Sequence, residues 1–372
     1  MEKNKELVLF MPSIDGGGVE KNLIIIANFL IKKIDNIILI TYNSSFNKYF
    51  DKKIKILNVV KKNTTSVSKY TKYIYCLYLL IRLLISGKKL VVFSFQANIY
   101  CAILSAFFKF SLISRSNSSP SGWDQNFFKK KIFSYFFKYV NFIIVNSYEF
   151  QKELFKKYKL KSIVIYNPLN LSEIKNKSKV NFKLNFFKEK KTLKIINIAR
   201  FTDQKDHLTL LKSFKIVSKK INAKLLLVGY GPERENIINF VNKNKLSKKI
   251  KILDFQINPY KYIKKSDILI LSSKYEGLPN VLLEALSLKK FIISSNCPTG
   301  PKEILDNGKY GFLFNVGDHI DLSKKIIKYS KSTNTYNKMC LLGFKSLNRF
   351  DYETNCNKYL EIIKKLINKN DK

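Results

Sequence analysis

Residues Glu276–Ala285, with the sequence EGLPNVLLEA, follow the run Asp267–Ser272, DILILS. The apolar centre of DILILS predicts a buried strand. The stretch EGLPNVLLEA predicts a helix with proline in its first turn. Proline is favourable there because the amide hydrogen that it lacks would have no partner. A strand, a short loop and a helix in this order predict one repeat of a parallel, doubly wound sheet.

Two acidic residues bracket the start of this predicted helix. Glu276 lies at the carboxyl end of the strand, and Glu284 lies one or two turns inside the helix. Open α/β sheets bind ligands in the crevice at that edge, where helix amides favour anions and carboxylates accept hydrogen bonds from hydroxyls. Such a site suits a ligand with both hydroxyls and a diphosphate, as a nucleotide sugar has.

The same alternation of strands and helices extends over the 372 residues. Helices are predicted to start near Val19, Val67, Ala97, Asn126 and Glu149. The predicted strands are Glu6–Pro12, Asn36–Tyr42, Lys53–Val59, Leu90–Phe95, Ser111–Arg115, Asn141–Asn146, Ser162–Tyr166, Leu193–Ala199, Ala223–Val228, Ile250–Asp254, Asp267–Ser272, Phe291–Ser295 and Gly311–Phe314.

This pattern predicts an α/β protein of two domains, since a chain of this length can bury two cores. The predicted domains are 1–170 and 193–349. Residues 171–192 are polar and lysine-rich with little periodicity, and we interpret them as the linker. Residues 350–372 are predicted to form a final helix from the spacing of Tyr359, Ile362, Ile363 and Leu366.

Further motifs occur in a fixed order along the chain. Besides Glu-x7-Glu with Gly-x-Pro inside it, they are Asp15–Glu20 (DGGGVE), Ile165–Asn170 (IYNPLN), Asn197–Lys205 (NIARFTDQK) and Val228–Glu233 (VGYGPE). The set resembles the retaining glycosyltransferases of family four, also called group 1, which have the GT-B fold. The resemblance covers nearly the whole chain and is strongest between about residues 194 and 314.

The resemblance implies two doubly wound Rossmann-like domains that face each other across a cleft, with the final helix packed back on the first domain. By the same resemblance, Arg200 and Lys205 hold the donor diphosphate, Glu284 holds the ribose hydroxyls and Glu276 contacts hydroxyls of the transferred sugar. Arg200, Lys205 and Glu276 are the expected catalytic residues. The expected donor site also includes Gly16, Gly17, Gly18, Gly229, Gly277, Leu278, Pro279 and Asn280.

Each of these residues also has a simpler explanation. Three successive glycines can form an ordinary turn, although a backbone without side chains also approaches a phosphate or sugar closely. Arg200 and Lys205 could form surface ion pairs. Five polar residues near predicted strand ends are candidates for acceptor or sugar binding, with loop or helix-start roles as their alternatives: Gln96, Asn98, Arg115, Asn117 and Glu303.

The sequence departs from the family at one position that matters for mechanism. Family members commonly carry a histidine just after the fourth strand, where this chain has Gln96-Ala97-Asn98, and the only histidines are His207 and His319. An enzyme histidine base in the first domain is therefore not expected, and the departing diphosphate is expected to help deprotonate the acceptor. No Asp-x-Asp pair occurs in the sequence, so no metal and no cofactor are expected beyond the nucleotide sugar itself.

The formal net charge of the chain is +41. Between Lys52 and Tyr148 there are 16 Lys and Arg residues and one acidic residue, Asp124. Such a surface is expected to meet an anionic partner, although lysine enrichment can also be a compositional bias with a solvated face. The segment Phe127–Lys138 interleaves aromatic residues with four lysines, which is typical of an interfacial helix, whereas an ordinary packed helix is the alternative.

The remaining features favour a cytoplasmic protein that associates peripherally with the inner face of the cytoplasmic membrane. Tyr73–Ile85 and Ala97–Ile113 are too short or too interrupted to span a bilayer and are expected to be core helices. Five cysteines show no paired or metal-ligand spacing, which favours a reduced compartment. The N-terminus lacks the apolar core of a signal peptide.

The expected reaction is transfer of a hexose or N-acetylhexosamine from a UDP-linked donor to a glycan or polyprenyl-diphosphate-linked acceptor, in lipopolysaccharide, capsule or related polysaccharide synthesis. A sugar-nucleotide epimerase of the same fold is one alternative, because it would share the donor site. A basic nucleic-acid-binding protein is a weaker one, because the sequence has no helix-turn-helix, zinc or RNA-binding signature and such a protein leaves Glu276 and Glu284 unexplained. No nucleic-acid partner is therefore expected.

Overall fold

The computed structural model describes residues 5–60, 67–120, 126–189 and 191–368. They form two compact units, of which the first comprises Met1–Pro168 with Tyr352–Lys372 and the second Leu169–Asp351. Each unit has one wholly parallel sheet with helices on it.

The first unit has a seven-stranded sheet in the order β3-β2-β1-β4-β5-β6-β7. Its strands are β1 (Glu6–Phe10), β2 (Ile37–Asn43), β3 (Lys55–Val60), β4 (Leu90–Ser94), β5 (Ser111–Arg115), β6 (Phe142–Val145) and β7 (Ile163–Val164). Its helices are α1 (Gly18–Leu30), α2 (Lys69–Ile85), α3 (Asn98–Phe108), α4 (Phe127–Phe136), α5 (Tyr148–Tyr158) and α14 (Tyr352–Ile367).

The two faces of this sheet carry different helices. Residues of α1 and α14 form one core with one side of the strands, and residues of α2, α3 and α5 form a second core with the other side. Successive apolar residues of a strand alternate between the two cores: Leu7 and Leu9 belong to the first, Val8 and Phe10 to the second. This burial on both faces explains why the strands are continuous apolar runs.

The second unit has a six-stranded sheet in the order β10-β9-β8-β11-β12-β13. Its strands are β8 (Leu193–Ile198), β9 (Ala223–Val228), β10 (Ile250–Leu253), β11 (Ile268–Leu271), β12 (Phe291–Ser295) and β13 (Phe312–Phe314). Its helices are α6 (Leu171–Ser178), α7 (His207–Lys220), α8 (Arg234–Lys243), α9 (Tyr260–Lys265), α10 (Asn280–Ser287), α11 (Pro301–Ile304), α12 (His319–Lys331) and α13 (Asn337–Lys345).

Residues 171–192 differ from the predicted linker, because they contain α6 and lie within the second unit. The side chain of Asn170 caps this helix by accepting a hydrogen bond from the amide of Glu173 at 3.0 Å. Ile174 and Phe187 are buried. One capping side chain and isolated apolar anchors order a segment that has no continuous periodicity for sequence analysis to detect.

Each sheet contains one point at which the strand order reverses. In the first unit this point lies between β1 and β4, and in the second it lies between β8 and β11. Loops that leave the carboxyl ends of the two strands at such a point diverge to opposite faces of the sheet, which opens a crevice. The predicted glycine loop follows β1, and the predicted Arg200 and Glu276 loops follow β8 and β11.

Candidate functional site

In the second unit, Lys205 and Glu276 form an ion pair at the reversal point. Lys205 ends the loop after β8, Glu276 lies in the loop after β11, and Lys205 Nζ is 2.6 Å from Glu276 Oε1. Ser273 donates a second hydrogen bond to the same oxygen, also at 2.6 Å. The side chains of Lys205 and Glu276 are only 16% and 8% exposed. Both contacts fall on Oε1, and Oε2 accepts no hydrogen bond from the residues that the structure describes.

Backbone contacts fix the two loops against each other. The side chain of Gln204 donates to the carbonyl of Tyr275 at 2.8 Å, and the amide of Lys274 donates to the carbonyl of Gln204 at 2.8 Å. Ser272 Oγ donates to the carbonyl of Lys205 at 2.9 Å. These contacts fix the backbone of both loops, and therefore the positions from which the Lys205 and Glu276 side chains reach each other.

The loop after β12 supports Glu276 from the other side. The amide of Glu276 donates to the carbonyl of Pro298 at 2.7 Å, and Thr299 Oγ1 donates to the carbonyls of Glu276 and Gly277 at 3.2 and 3.1 Å. Gly300 has φ +92°, and a Cβ there would lie 2.2 Å from the carbonyl oxygen of Gly277. Glycine is therefore required at position 300 for this close approach.

Gly229, after β9, has a packing role next to the Arg200 loop. A Cβ on Gly229 would lie 1.9 Å from the carbonyl oxygen of Ala199, which immediately precedes Arg200. Gly231 has φ +146°, and a Cβ there would lie 2.4 Å from the carbonyl oxygen of Phe201. The structure thus places the Gly-x-Gly motif against the backbone that carries Arg200.

Arg200 is exposed and makes no ion pair or side-chain hydrogen bond within 5–60, 67–120, 126–189 and 191–368. His207 lies two residues beyond Lys205 and is buried against Phe201, with its ring edge-on at 5.0 Å. Burial, and then the nearby Lys205 charge, lower the pKa of His207 to about 4. Because the imidazole is neutral above that pH, the cations in the loop after β8 are Arg200 and Lys205.

Helix α10 begins as the sequence predicts, although Pro279 occupies the N-cap position instead of the first turn. Leu278 is buried, and Asn280 is the first helical residue. Glu284 follows one turn later, with its side chain 6% exposed. Both acidic residues that bracket the helix start, Glu276 and Glu284, are therefore buried.

In the first unit, the glycine loop lies at the other reversal point. Gly16 has φ +86°, Gly17 is the N-cap of α1, and Gly18 begins the helix. A Cβ on Gly17 would lie 2.7 Å from Glu20 Oε2, so this glycine makes room for a buried glutamate of its own helix. The loop therefore has a structural reason for at least one of its glycines.

Gln96 and Asn98, after β4, are engaged by backbone groups. Gln96 accepts from the amide of Ser13 and donates to the carbonyl of Ser13, both at 3.0 Å, and so ties the end of β4 to the glycine loop. Asn98 donates to the carbonyl of Arg115 at 3.0 Å. Gln96 thus connects the loops after β1 and β4 at the point where the strand order of the first sheet reverses.

Arg115, a sequence-based candidate for acceptor or sugar binding, lies inside the first unit. Its side chain is fully buried and donates to the hydroxyl of Tyr359 at 3.0 Å, to Asn167 Oδ1 at 2.6 Å and to Asn117 Oδ1. Asn117 in turn donates to the carbonyl of Phe95 at 2.8 Å. Arg115 thereby fixes α14 to the sheet, and Asn117 holds the Arg115 side chain at the end of β4. Their assignment to acceptor or sugar binding stays a prediction.

Several contacts could not have been found from local sequence. Lys72 of α2 lies 3.1 Å from Ser13 Oγ and 3.4 Å from Asp15 Oδ1, at the base of the glycine loop. No local signal marks Lys72 within a lysine-rich segment. Ser273 has one weak signal, since it lies three residues before Glu276 on the same loop.

The remaining candidate, Glu303, lies on the short helix α11 and is half-buried, and its carbonyl accepts from Arg349 at 2.9 Å. Within the described ranges, no cluster of three or more His, Cys, Asp and Glu residues is placed to hold a metal ion. Metal independence stays a prediction.

Residues 177–340 match the family described as glycosyl transferases group 1. Over 223 residues the chain is 36% identical to an uncharacterized glycosyltransferase of Methanocaldococcus jannaschii, an alignment covering 57% of this chain and 53% of that protein. The chain thus spans about half the length of this relative.

A second relative aligns over nearly its full length. It is the N-acetylgalactosamine-N,N'-diacetylbacillosaminyl-diphospho-undecaprenol 4-alpha-N-acetylgalactosaminyltransferase of Campylobacter jejuni, 22% identical over 96% of this chain and 99% of that protein. Among solved structures, Anabaena HepE in complex with UDP-glucose superposes with a TM-score of 0.80 at 16% identity, covering 97% of this chain and 99% of that one. At this identity the likeness establishes the fold alone, which is GT-B.

Proposed function

We propose that the protein is a retaining glycosyltransferase, because residues 177–340, within the second unit, match the group 1 glycosyl transferases and the chain has the GT-B fold. It moves a hexose or N-acetylhexosamine from a UDP-linked donor to a lipid-linked or growing glycan acceptor. The observation that carries the proposal is the buried Lys205–Glu276 pair at the reversal point of the second sheet. This is the place where doubly wound sheets bind nucleotides.

The donor site of the proposal is built around that pair. Lys205 and the exposed Arg200 supply positive charge for the diphosphate. When the diphosphate is bound, Lys205 contacts both the diphosphate and Glu276. The Oε2 oxygen of Glu276 accepts from a hydroxyl of the transferred sugar. By the family resemblance, Glu284 holds the ribose hydroxyls.

In the proposed chemistry, the enzyme stabilises the charge that grows on the leaving β-phosphate. Arg200, Lys205 and the backbone amides around Gly277 are the groups available for this. Neither Gln96 nor Asn98 can act as a base at neutral pH, because an amide has no proton acceptor of suitable basicity. The departing diphosphate therefore takes the proton of the acceptor hydroxyl on the same face of the sugar, so the anomeric configuration is retained.

The acceptor in the proposal is a polyprenyl-diphosphate-linked sugar at the cytoplasmic face of the membrane, in bacterial polysaccharide or lipid-linked glycan synthesis. Two similar proteins of Campylobacter jejuni support this choice, because their names specify undecaprenol-linked acceptors and N-acetylgalactosaminyl transfer. In the proposal, the first unit binds this acceptor.

Product analysis tests the proposal. Purified protein is incubated with a set of UDP-sugars and a short polyprenyl-diphosphate sugar, with and without a chelator. We expect a glycosylated lipid whose new anomeric centre, measured by NMR, has the configuration of the donor, and equal rates with chelator. An inverted product or strict dependence on Mg²⁺ or Mn²⁺ would refute the respective part of the proposal.

The epimerase alternative is separated in the same experiment by omitting the acceptor. A sugar-nucleotide epimerase converts the donor alone to a second free nucleotide sugar, whereas a transferase leaves it unchanged apart from slow hydrolysis. Accumulation of epimerised UDP-sugar without acceptor would replace the proposed function with the alternative.

A further inference from the structure

One face of the first unit combines large exposed apolar side chains with positive charge. Helices α2, α3 and α4 follow β3, β4 and β5 in turn and lie side by side on the same face of the sheet. More than half of the exposed large hydrophobic side chains of the described chain fall between residues 70 and 139, in or next to these helices. We call their outward side the three-helix face.

Helix α2 has two distinct sides. Tyr73, Cys76 and Leu80 are buried against the sheet. The opposite side carries an exposed stripe at four- and three-residue spacing, formed by Tyr70 (67%), Ile74 (67%), Tyr78 (57%), Arg82 and Ile85 (71%). The helix has 17 residues and is about 25 Å long, and the stripe follows nearly all of it. The sequence predicted a core helix, and the exposed stripe corrects that for one side of α2.

Helices α3 and α4 extend the same surface. Phe107 at the end of α3 is 73% exposed, and Phe128 and Ile132 on α4 are 74% and 48% exposed. On its inner side α4 is anchored by aromatic packing, since Phe133 stacks on buried Phe137 at 3.8 Å. The exposure of the outer side is therefore not a sign of a loosely attached helix.

The charge of this face has one sign. Residues 67–120 and 126–148 contain no Asp or Glu. Arg82, Lys109, Lys131 and Lys138 are exposed at or between the apolar stripes. Basic side chains beside aromatic and aliphatic ones, on helices that lie flat on a sheet, are the composition of an interfacial membrane surface. No helix in the described part of the chain is both long and apolar enough to cross a bilayer.

We propose that the three-helix face docks the protein on an anionic lipid bilayer, with the apolar stripes entering the headgroup region and the basic side chains binding anionic headgroups. This inference deepens the proposed function, because a lipid-linked acceptor is reached from the bilayer surface, but the docking does not depend on sugar transfer. Exposed apolar side chains that cluster on one face of a protein mark an interaction surface.

The charges favour a bilayer over other occupants. A second copy docked through the same face by a two-fold axis would bring two acid-free basic surfaces together, which is unfavourable. A nucleic acid would satisfy the lysines and leave Ile74, Ile85 and Phe107 against water or phosphate. A bilayer with anionic lipids satisfies both kinds of side chain at once.

Vesicle flotation of the full chain tests this inference. Wild-type protein is expected to float with vesicles that contain phosphatidylglycerol, to float less with pure phosphatidylcholine, and to lose binding as salt is raised. The variant Ile74→Gln/Tyr78→Gln/Phe107→Gln removes three exposed side chains, and we expect its vesicle partition coefficient to fall by roughly tenfold or more. The matched control, Leu208→Gln/Ile257→Gln/Ile320→Gln, removes three exposed side chains of the second unit and should float like the wild type.

Equal flotation of both triple variants, or equal wild-type binding to neutral and anionic vesicles, would overturn the inference. A dimer in sedimentation that the first triple variant abolishes would show that this face joins two copies instead. Thermal shift by UDP in vesicle-free buffer separates the two proposals. Flotation without any UDP shift contradicts the donor site but not the docking surface, and a UDP shift without flotation contradicts only the docking.

Discussion

At the scale of single residues, the main feature is the carboxylate of Glu276, whose Oε1 accepts from both Lys205 and Ser273. Two donors on one oxygen fix the orientation of the carboxylate and leave Oε2 directed elsewhere. The same arrangement holds the Lys205 ammonium at a defined point before any ligand arrives, which reduces the cost of organising the site on binding.

Arg200→Ala and Lys205→Ala are each expected to lower turnover by about a hundredfold or more, equivalent to about 3 kcal/mol of transition-state stabilisation. The reason is that each removes a cation that, in the proposed donor site, stabilises the leaving diphosphate. Steady-state rates, measured with the UDP-sugar that the product analysis identifies as the donor, give the effect. Lys212→Ala, an exposed lysine on α7, is the matched control. Near-normal turnover of both site variants would remove them from the mechanism.

His207 gives the second unit a predicted sensitivity to acid. Because its pKa is lowered from 6.5 to about 4, the unfolded chain binds a proton between these pH values that the folded chain does not. Stability is therefore unaffected above about pH 7, falls as the pH drops from about 6.5 toward 4, and the full loss is about 3 kcal/mol.

Urea unfolding at several pH values measures this loss, with hydrogen exchange of β8 and α7 as the probe of the second unit. His207→Gln should flatten the pH dependence, because it removes the group that gains a proton on unfolding. An unchanged slope in His207→Gln would assign the acid sensitivity to other groups.

At the scale of elements, the loops after β8, β9, β11 and β12 act as one interlocked group. The Arg200 loop rests on Gly229, the Glu276 loop is bonded to Gln204, and Thr299 holds the carbonyls of Glu276 and Gly277. The backbone thus transmits a change in any one loop to the positions of Arg200 and Lys205.

Gly229→Ala is expected to destabilise the second unit by about 2 kcal/mol or more, because the new Cβ would overlap the carbonyl of Ala199. The loop that carries Arg200 must then shift, so turnover should be reduced even at temperatures where the variant remains folded. Gly317→Ala is the control: it has φ +81° with no atom within 4 Å of a new Cβ, and strain alone costs about 1 kcal/mol. Thermal unfolding and turnover of the two variants check this, and equal effects would contradict the steric argument.

At the scale of the whole molecule, the chain forms the first unit from two separate segments and the second from one continuous segment, Leu169–Asp351. Arg115 and Asn167 fix the returning helix α14 through Tyr359, so the first unit requires both ends of the chain. The second unit has its own core and its own sheet.

Residues 169–351 expressed alone are therefore expected to fold and to bind UDP. Ligand at about a hundredfold above its Kd should stabilise this fragment by about 3 kcal/mol in a thermal-shift measurement. The fragment with Lys205→Ala is the control and should show a much smaller shift. If the full chain binds UDP and the folded fragment does not, the first unit must contribute to nucleotide binding.

The sequence by itself determined the alternation of strands and helices, because strands buried on both faces must be continuous apolar runs. Every predicted strand is present, with ends that differ by a few residues. It also predicted the positions of Arg200, Lys205 and Glu276 at strand ends, because these motifs combine a strand, a loop and a helix start within a few residues.

Only the tertiary structure decided which polar residues face outward and which are used internally. Arg115 was predicted near a strand end as a candidate for acceptor or sugar binding, and its side chain is buried against Tyr359 of α14, which lies more than 200 residues away in the chain. Ile74 and Tyr78 were predicted in a core helix but lie on the outer side of α2. The physical reason is that a local pattern records how apolar a segment is, whereas burial depends on which distant element packs against each side.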